Sequence, residues 1–267
     1  MLILRTTPCK GYTVVVERRP PLPRLQELAQ DQWGLVTRRQ AELAGVGRTT
    51  LDRLTGPSGS LERVTHGVYR LVGAPTPDHL ELRAAWLQLA PEVPGWARTA
   101  NQGVVSHRSA ASVYGIGHLA ADRHEFTVPH RRQTRRADVR IHVRQLEDRE
   151  WVVANGLPVT RPSRIVPDLL MEHEDPEAVG QIVAESIRKV FDYPGTFADA
   201  LAPYAVRFGL RRNDGLGLLR WFLGLTGDPD MDRWMGEAVA HSGRVAAKEG
   251  TTRTAPRKAA PRAKVRA

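Results

Sequence analysis

The chain has 267 residues, which is long enough for two modest domains. Of these residues 41% are hydrophobic and 25% are charged, a composition typical of globular proteins. The formal net charge is +10 and the pI is near 10.4, which favours nucleic acid or another acidic partner. A single cysteine excludes an internal disulfide and a cysteine-based zinc site within one chain. No apolar run approaches the roughly 18–20 residues that span a bilayer, so we expect a cytoplasmic protein without a membrane partner.

The positive charge is concentrated at the carboxyl end of the chain. Residues 241–267 contain eight Lys and Arg side chains against the single acidic residue Glu249, and so supply +7 of the net charge. Their Ala-, Pro-, Lys- and Arg-rich composition predicts a disordered basic tail over 241–267. Such a tail either attracts phosphate groups independently of sequence or only aids solubility, and the sequence leaves both roles open.

Three short helices are predicted after an N-terminal extension, residues 1–21, which ends in the proline-rich "RRPPLP". From Pro23 onward apolar residues recur at helical spacing, at Leu25, Leu28, Ala29 and Trp33. Thr37 precedes Gln40 by three residues, the spacing of a capping box that begins a second helix. The third predicted helix is "RTTLDRLTG", in which Leu51 and Leu54 share one face.

A β-hairpin is predicted next, in "RVTHGVYRLVG", where the pair His66-Gly67 separates two β-rich runs. A glycine here would supply the positive φ of a primed turn. Three helices followed by a hairpin predict a winged helix-turn-helix over residues 22–73, in which the third helix enters the DNA major groove and the hairpin contacts the flanking DNA. The basic residues near these two elements are the candidate contacts: Arg38, Arg39, Arg48 and Arg53 around the helices, and Arg63, His66 and Arg70 on the hairpin. The same module also serves as a protein-interaction domain, and this alternative stays open.

A larger α+β domain is predicted over residues 79–240, after the linker "GAPTPDH". Its strands come first, in "EFTVP", "VRIHVRQL" and the two halves of "WVVANGLPVT", whose Asn-Gly pair is a strong hairpin signal. Its later segments have helical periodicity. The basic loop "RRQTRR" lies between two of the strands.

The sequence contains no pattern of residues that predicts catalysis, a cofactor or a metal site. Ser106 and His107 are adjacent, but no G-x-S-x-G context surrounds them, and Ser106 is better interpreted as a helix cap. Three further histidines are spaced six apart without the carboxylates of a metal site: His118, His124 and His130. The acidic run Glu172, Glu174 and Asp175 is interpreted as a solvated turn. We therefore predict a protein that is not an enzyme.

The segment "LAQDQWGLVTRRQAELAGVGRTTLDRL", continued by "LERVTHGVYRLVGAP", resembles the winged-helix domain of the AbiEi antitoxins of type IV toxin–antitoxin systems. The segments "GVVSHRSAASVYGI", "FTVP" and "GLPVTRPSRIVPDLL" resemble the second domain of its actinobacterial members, so the similarity spans about residues 24–225.

This resemblance implies an antitoxin that counteracts a nucleotidyltransferase-type toxin, takes part in phage defence, and represses its own promoter by binding inverted repeats in double-stranded DNA. Inverted repeats would suit a homodimer on DNA, although the oligomeric state stays open. The groove-reading positions then fall at Arg48, Thr49, Thr50 and Arg53, and the hairpin contacts at Arg63 and His66. From charge alone, we expect the second domain to extend the DNA or toxin contact through Arg131, Arg132, Arg135 and Arg136. The alternative is a stand-alone transcriptional regulator or interaction module without a toxin.

Overall fold

The computed structural model describes the backbone of residues 20–253 and the side chains of residues 20–244. Within these limits the chain forms two compact units. The first contains the residues up to Gly103 together with Asn155–Leu157, and the second contains Val104–Ala154 and the residues from Pro158 onward. Helices and strands occur in both, which confirms the predicted α+β class. The predicted N-terminal extension lies almost wholly outside the described residues.

The first unit has the element order of the predicted winged helix-turn-helix. Its elements are α1 (Pro21–Gln30), β1 (Leu35–Thr37), α2 (Arg38–Leu43), α3 (Arg48–Thr55), β2 (Leu61–Thr65), β3 (Val68–Leu71) and α4 (Leu80–Leu89). The strands form an antiparallel sheet in the order β1-β3-β2. Strand β1 was not predicted, because three consecutive buried residues are too short a run to show the alternation of a strand.

A small apolar core holds α2 and α3 against the sheet. Leu25 of α1, Ala41 of α2, Leu51 of α3 and Leu61 of β2 are all buried in one cluster. The predicted capping box is confirmed: the Thr37 hydroxyl accepts from the Gln40 amide at 3.0 Å, and the Thr37 amide donates to Gln40 Oε1 at 3.0 Å. These bonds satisfy backbone groups at the start of α2 that would otherwise lack partners.

The predicted hairpin is confirmed, but its turn differs from the prediction. Gly67 has a φ of +71°, whereas His66 is not among the residues with positive φ. A primed turn needs positive φ at its first central residue, so the primed-turn prediction is wrong. The pairing register shifts between Arg63 and Thr65, as in longer hairpin loops that contain a bulge and a left-handed glycine.

The predicted linker at 73–79 does not separate the two compact units. Helix α4 and the residues up to Gly103 pack with the winged-helix elements instead. Buried amides make the connection: Gln40 Nε2 donates to the Val93 carbonyl at 3.1 Å, and Gln32 Oε1 accepts from the Gly95 amide at 2.6 Å. Two 3₁₀ segments, Gly95–Ala97 and Ala100–Gln102, follow. The domain boundary predicted at residue 79 is therefore corrected to Gly103.

The second unit combines one sheet with a set of helices. Its strands are β4 (Val104–Val105), β5 (His124–Val128), β6 (Val139–Val143), β7 (Trp151–Ala154) and β8 (Leu157–Thr160), although Leu157 itself belongs to the first unit. Its helices are α5 (His107–Tyr114), α6 (Pro162–Met171), α7 (Pro176–Arg188), α8 (Pro194–Leu201), α9 (Gly215–Thr226) and α10 (Met231–Arg253), with 3₁₀ segments at Asp148–Glu150 and Ala202–Phe208. Among the described residues, no helix combines the length and apolar character needed to cross a membrane.

The sheet of this unit has the order β6-β5-β4-β8-β7 and is mixed. Strands β4 and β5 are antiparallel, whereas β5 pairs with β6 and β4 with β8 in parallel. Strands β7 and β8 form the predicted Asn-Gly hairpin, and Asn155 and Gly156 both have positive φ, at 50° and 79°. Positive φ at both central residues is the requirement of a type I′ turn.

Two further predictions for this unit need correction. The basic tail does not begin at residue 241, because α10 continues to Arg253, where alanines favour the helix and His241 contacts Asp199 at 3.1 Å. Residues 254–267 lie outside the described residues. The acidic run is also more than a solvated turn: Glu174 pairs with Arg108 and Glu172 with Arg140, and the Asp175 carboxylate accepts from the first turn of α7.

Candidate nucleic-acid interface

Helix α3 presents a polar face outward while its opposite face is anchored in the core. Leu51 is buried, whereas Arg48, Thr49 and Arg53 are exposed. Thr50 is half-buried. Residues 49 and 53 are one helical turn apart and therefore lie on the same face. Of the predicted groove-reading residues, Thr49 and Arg53 thus share an outward face, Arg48 is exposed beside that face, and Thr50 is half-buried.

The Arg48 side chain is 74% exposed, and its only described ionic contact is Nε to Asp52 Oδ2 at 3.8 Å. An exposed pair at this distance contributes little to stability, so a ligand can replace it at low cost in free energy. Arg48 is therefore available to bind a phosphate or a base edge.

Two arginines of α2 share one carboxylate. Arg38 Nε donates to Glu42 Oε1 at 2.9 Å, and Arg39 Nη1 lies 3.3 Å from Glu42 Oε2. The hydrogen bond from Arg38, followed by that from Arg39, lowers the pKa of Glu42 below its usual value. The carboxylate offsets part of the positive charge of this pair, so the α2 arginines are weaker candidates for an anion contact than Arg48 and Arg53.

The backbone of the hairpin tip is hydrogen-bonded to neighbouring elements, while the basic side chains at the tip are exposed. Arg63 and His66 are both exposed, and Arg63 Nη2 lies 2.9 Å from His66 Nδ1. Gln88 Nε2 donates to the His66 carbonyl at 3.0 Å, and the Arg38 amide donates to the Gly67 carbonyl at 2.8 Å. Both turn carbonyls are thus fixed by neighbouring elements, which leaves the two basic side chains at the tip.

Arg70 differs from the other hairpin candidates because its guanidinium makes an ion pair and hydrogen bonds within the first unit. Its side chain is only 14% exposed and pairs with Glu62. Its Nη1 donates to the Ala74 carbonyl at 2.7 Å and to the Thr76 hydroxyl at 2.9 Å. These bonds hold the chain that leaves β3, and they leave few donors for a ligand.

The basic loop of the second unit connects the parallel strands β5 and β6. Arg131, Arg132 and Arg135 are exposed. Arg136 instead makes a bidentate pair with Asp138, with Nε to Oδ1 at 3.0 Å, and this pairing lowers the pKa of the carboxyl. The four arginines are therefore not equivalent, and Arg136 contributes less net charge than its neighbours.

A buried polar cluster in the second unit was not predicted. It contains His107, Glu125 and His142, which come from α5, β5 and β6. Burial lowers the pKa of His107 to about 3, and the neighbouring His142 acts in the same direction. The three residues are separated by up to 35 positions and share no motif; the register of β5 with β6 and the packing of α5 bring them together.

Ser106 occupies the N-cap position of α5, as predicted, but its side chain does not cap the helix. Its hydroxyl lies 3.0 Å from His107 Nδ1 instead. Glu125 Oε2 approaches the same ring nitrogen, at 3.9 Å. A nucleophile relay needs the serine and the carboxylate at opposite ring nitrogens, so this arrangement does not form a catalytic triad.

Comparison with known proteins adds one match. No curated protein matches this chain. Residues 23–72, which contain α2, α3, the hairpin and all but the first two residues of α1, match the family described as "Transcriptional regulator, AbiEi antitoxin". The match covers the winged-helix elements and ends before α4. It confirms, for this N-terminal module, the resemblance to the AbiEi antitoxin and transcriptional regulator family.

Proposed function

We propose that this protein is a DNA-binding transcriptional regulator that represses its own promoter through the N-terminal module. In this proposal α3 enters the major groove, and Arg63 and His66 of the hairpin contact the flanking backbone. The observation that carries the proposal is the outward face of α3, where Arg48, Thr49 and Arg53 are exposed on a helix anchored by Leu51. The family match over the same residues supports it.

We further propose that the protein is the antitoxin of a type IV toxin–antitoxin system and counteracts a nucleotidyltransferase-type toxin. The family description, which names both a regulator and an antitoxin, supports the antitoxin part of the proposal. Binding to inverted repeats would place one module on each half-site, as dimeric helix-turn-helix proteins do. No catalytic activity is assigned to the protein.

The DNA-binding half is tested by titrating the full-length protein with the DNA upstream of its gene and with a scrambled duplex, each at two salt concentrations. Selective binding to the upstream DNA is expected. Arg53→Ala should cost about 1–3 kcal/mol of specific binding and relax selectivity, because a base-reading side chain is removed. Arg48→Ala should act in the same direction.

A matched control removes one arginine charge from the second unit. Arg220 is exposed on α9 and lies 3.7 Å from Asp232, so Arg220→Ala deletes an arginine in an ion pair comparable to that of Arg48. Its effect should be small and equal for both duplexes. Equal binding of the wild-type protein to both duplexes, or equal effects of Arg53→Ala and Arg220→Ala, would exclude the proposed role of α3.

The sequence-independent contribution to DNA binding is tested by one truncation and by two substitutions in the basic loop. Removing residues 254–267 leaves α10 whole and deletes five basic residues: Arg257, Lys258, Arg262, Lys264 and Arg266. This truncation should weaken binding to all DNA equally and flatten the salt dependence, by about 0.9 in slope for each phosphate that is no longer neutralised. In the basic loop, Arg131→Ala should have a larger effect than Arg136→Ala, because Asp138 already neutralises Arg136.

The antitoxin half is tested by co-expression with the product of the neighbouring gene. Rescue of growth is expected. The double variant Arg48→Ala/Arg53→Ala should still rescue when expressed from an unrelated promoter, since it lacks only the DNA-binding side chains. Failure of the wild-type protein to rescue, combined with selective DNA binding, would leave a stand-alone regulator. Rescue without selective DNA binding would identify a protein-interaction module instead.

A further inference from the structure

The pleat of the second sheet places polar side chains from two strands on one face. Strands β5 and β6 are parallel, and their register pairs Glu125 with Arg140 and Thr127 with His142. Because side chains alternate between faces and paired residues share a face, these four side chains lie on the same side of the sheet. Glu125 and His142 are therefore diagonal neighbours.

Helix α5 packs against this face and brings a second histidine to it. The Ser109 hydroxyl accepts from the Glu125 amide at 2.9 Å and donates to the Arg123 carbonyl at 2.9 Å, which fixes α5 to β5. His107 begins the helix and has a φ of +52°, a left-handed conformation that is uncommon for residues other than glycine. Such conformations persist where the surrounding structure fixes them.

The three side chains converge within a short distance. His142 Nε2 lies 3.4 Å from Glu125 Oε2, and His107 Nδ1 lies 3.9 Å from the same oxygen. The two imidazole rings are stacked, with centroids 3.5 Å apart and planes inclined by 14°. One ligand atom from each of the three residues lies within 4.8 Å of the others.

One ring nitrogen in this cluster has an ionic contact but no hydrogen bond of acceptable geometry. His142 Nε2 is buried, and its contact is with Glu125 Oε2. An unsatisfied buried polar atom costs free energy, and most such atoms in folded proteins are paired. A cation between this nitrogen and the Glu125 carboxylate would satisfy it.

The charges around the cluster favour a cation. Arg140 faces the same site, but its guanidinium pairs with Glu172 at 2.5 Å. Glu172 Oε1 also lies 3.9 Å from His142 Nδ1, on the side of the ring away from Glu125. Ligating histidines commonly direct their second nitrogen toward a carboxylate, which orients the ring. Arg164 also acts on His107, but it is paired with Asp168, so Glu125 and Glu172 against Arg140 leave one net negative charge.

We propose that His107, Glu125 and His142 form a binding site for one divalent transition-metal ion, with Zn²⁺ as the metal that the ligand set suits best. Imidazole nitrogen and carboxylate oxygen are both Zn²⁺ ligands, and zinc tolerates a site with three protein ligands and one further position. A bound ion would link α5 to β5 and β6 and so stabilise the second unit. This proposal does not depend on the DNA-binding function.

The test measures metal binding by tag-free full-length protein. After equilibrium dialysis against ZnCl₂, we expect about one Zn²⁺ per chain and a higher melting temperature than in chelator, because an ion that binds only the folded state stabilises it. Co²⁺ used as a probe should give visible absorption bands that differ from those of the free ion.

Glu125→Gln and His142→Gln should each weaken Zn²⁺ binding by at least about tenfold, since even outer-shell changes at metal sites have effects of this size. The matched control is His130→Gln, which removes an exposed histidine outside the cluster and should bind zinc like the wild-type protein. Circular dichroism establishes that each variant is folded. If His142→Gln fails to fold, the nearly isosteric Glu125→Gln still decides. Absence of zinc from the wild-type protein, or equal binding by Glu125→Gln, would overturn the proposal.

Discussion

The winged-helix elements and the second unit use charged side chains in opposite ways. Within residues 20–73, the buried polar side chains are the neutral Gln32, Thr37 and Gln40. The second unit buries six titratable side chains among the described residues: His107, Glu125, Arg164, Asp168, Asp192 and Asp228. A surface that meets a charged partner needs solvated, replaceable charges, whereas a buried charge needs an internal partner or a bound ion.

This difference also determines which functional residues of each region can be recognised from the sequence alone. Exposed arginines near one another in the chain can be found by reading the sequence, and the N-terminal module has several. Buried charges are placed by tertiary structure, and their partners come from distant positions. The contrast between buried and exposed polar groups can therefore be tested by substitution in each region.

The largest effect is expected from breaking a buried ion pair of α6. Arg164 and Asp168 lie one turn apart, and each side chain is only 6% exposed. Asp168→Ala would leave a buried guanidinium with Glu150 as its remaining described ionic partner, at 3.4 Å. The free energy of unfolding of the second unit should fall by about 3–5 kcal/mol, as measured by denaturant titration.

A double variant separates the loss of the pair from the burial of a lone charge. Arg164→Met with Asp168→Leu removes both charges and fills a similar volume, so its stability should lie within about 1 kcal/mol of the wild-type protein or above it. A double variant as unstable as Asp168→Ala would show that the pair itself, and not the isolated charge, accounts for the loss.

An intermediate effect is expected at the buried neutral cap of α2. Thr37→Ala removes the hydroxyl that accepts from the Gln40 amide, and should cost about 0.5–2 kcal/mol of unfolding free energy. Thr37→Ser keeps the hydroxyl and serves as the control. If the two variants lost equal stability, the missing methyl group rather than the cap would be responsible.

The smallest effect on stability is expected from removing the exposed ion pairs that Glu42 makes on α2. Glu42→Gln removes the carboxylate shared by Arg38 and Arg39 and should leave the unfolding midpoint of the N-terminal module unchanged, because exposed ion pairs contribute little to stability. DNA binding should tighten slightly at low salt, since two arginines lose a competing anion. A large loss of stability would contradict the contrast between the two regions.

The parts of the fold with strong local signals were predictable from the sequence. The capping box at Thr37 and Gln40 and the Asn155-Gly156 turn depend on residues within three positions of each other, and both were correct. The turn at His66-Gly67 was assigned the wrong type, because its conformation depends on a register shift between β2 and β3.

The parts set by long-range packing were not predictable. The unit boundary at Gly103 depends on hydrogen bonds between the side chains of Gln32 and Gln40 and backbone groups more than 50 positions away. The continuation of α10 past residue 241 was missed because the low-complexity composition of the tail obscured the helical segment before it. The histidine cluster depends on the alignment of β5 with β6, which no local pattern specifies.

The fixed hairpin tip has a consequence for the entropy of binding. A surface loop that becomes ordered when a ligand arrives reduces affinity by the conformational freedom it loses. Here the carbonyls of His66 and Gly67 already accept hydrogen bonds from Gln88 and Arg38, so folding has removed much of that freedom. Whatever ligand meets the hairpin encounters a preorganised backbone, and only the side chains of Arg63 and His66 remain to be ordered.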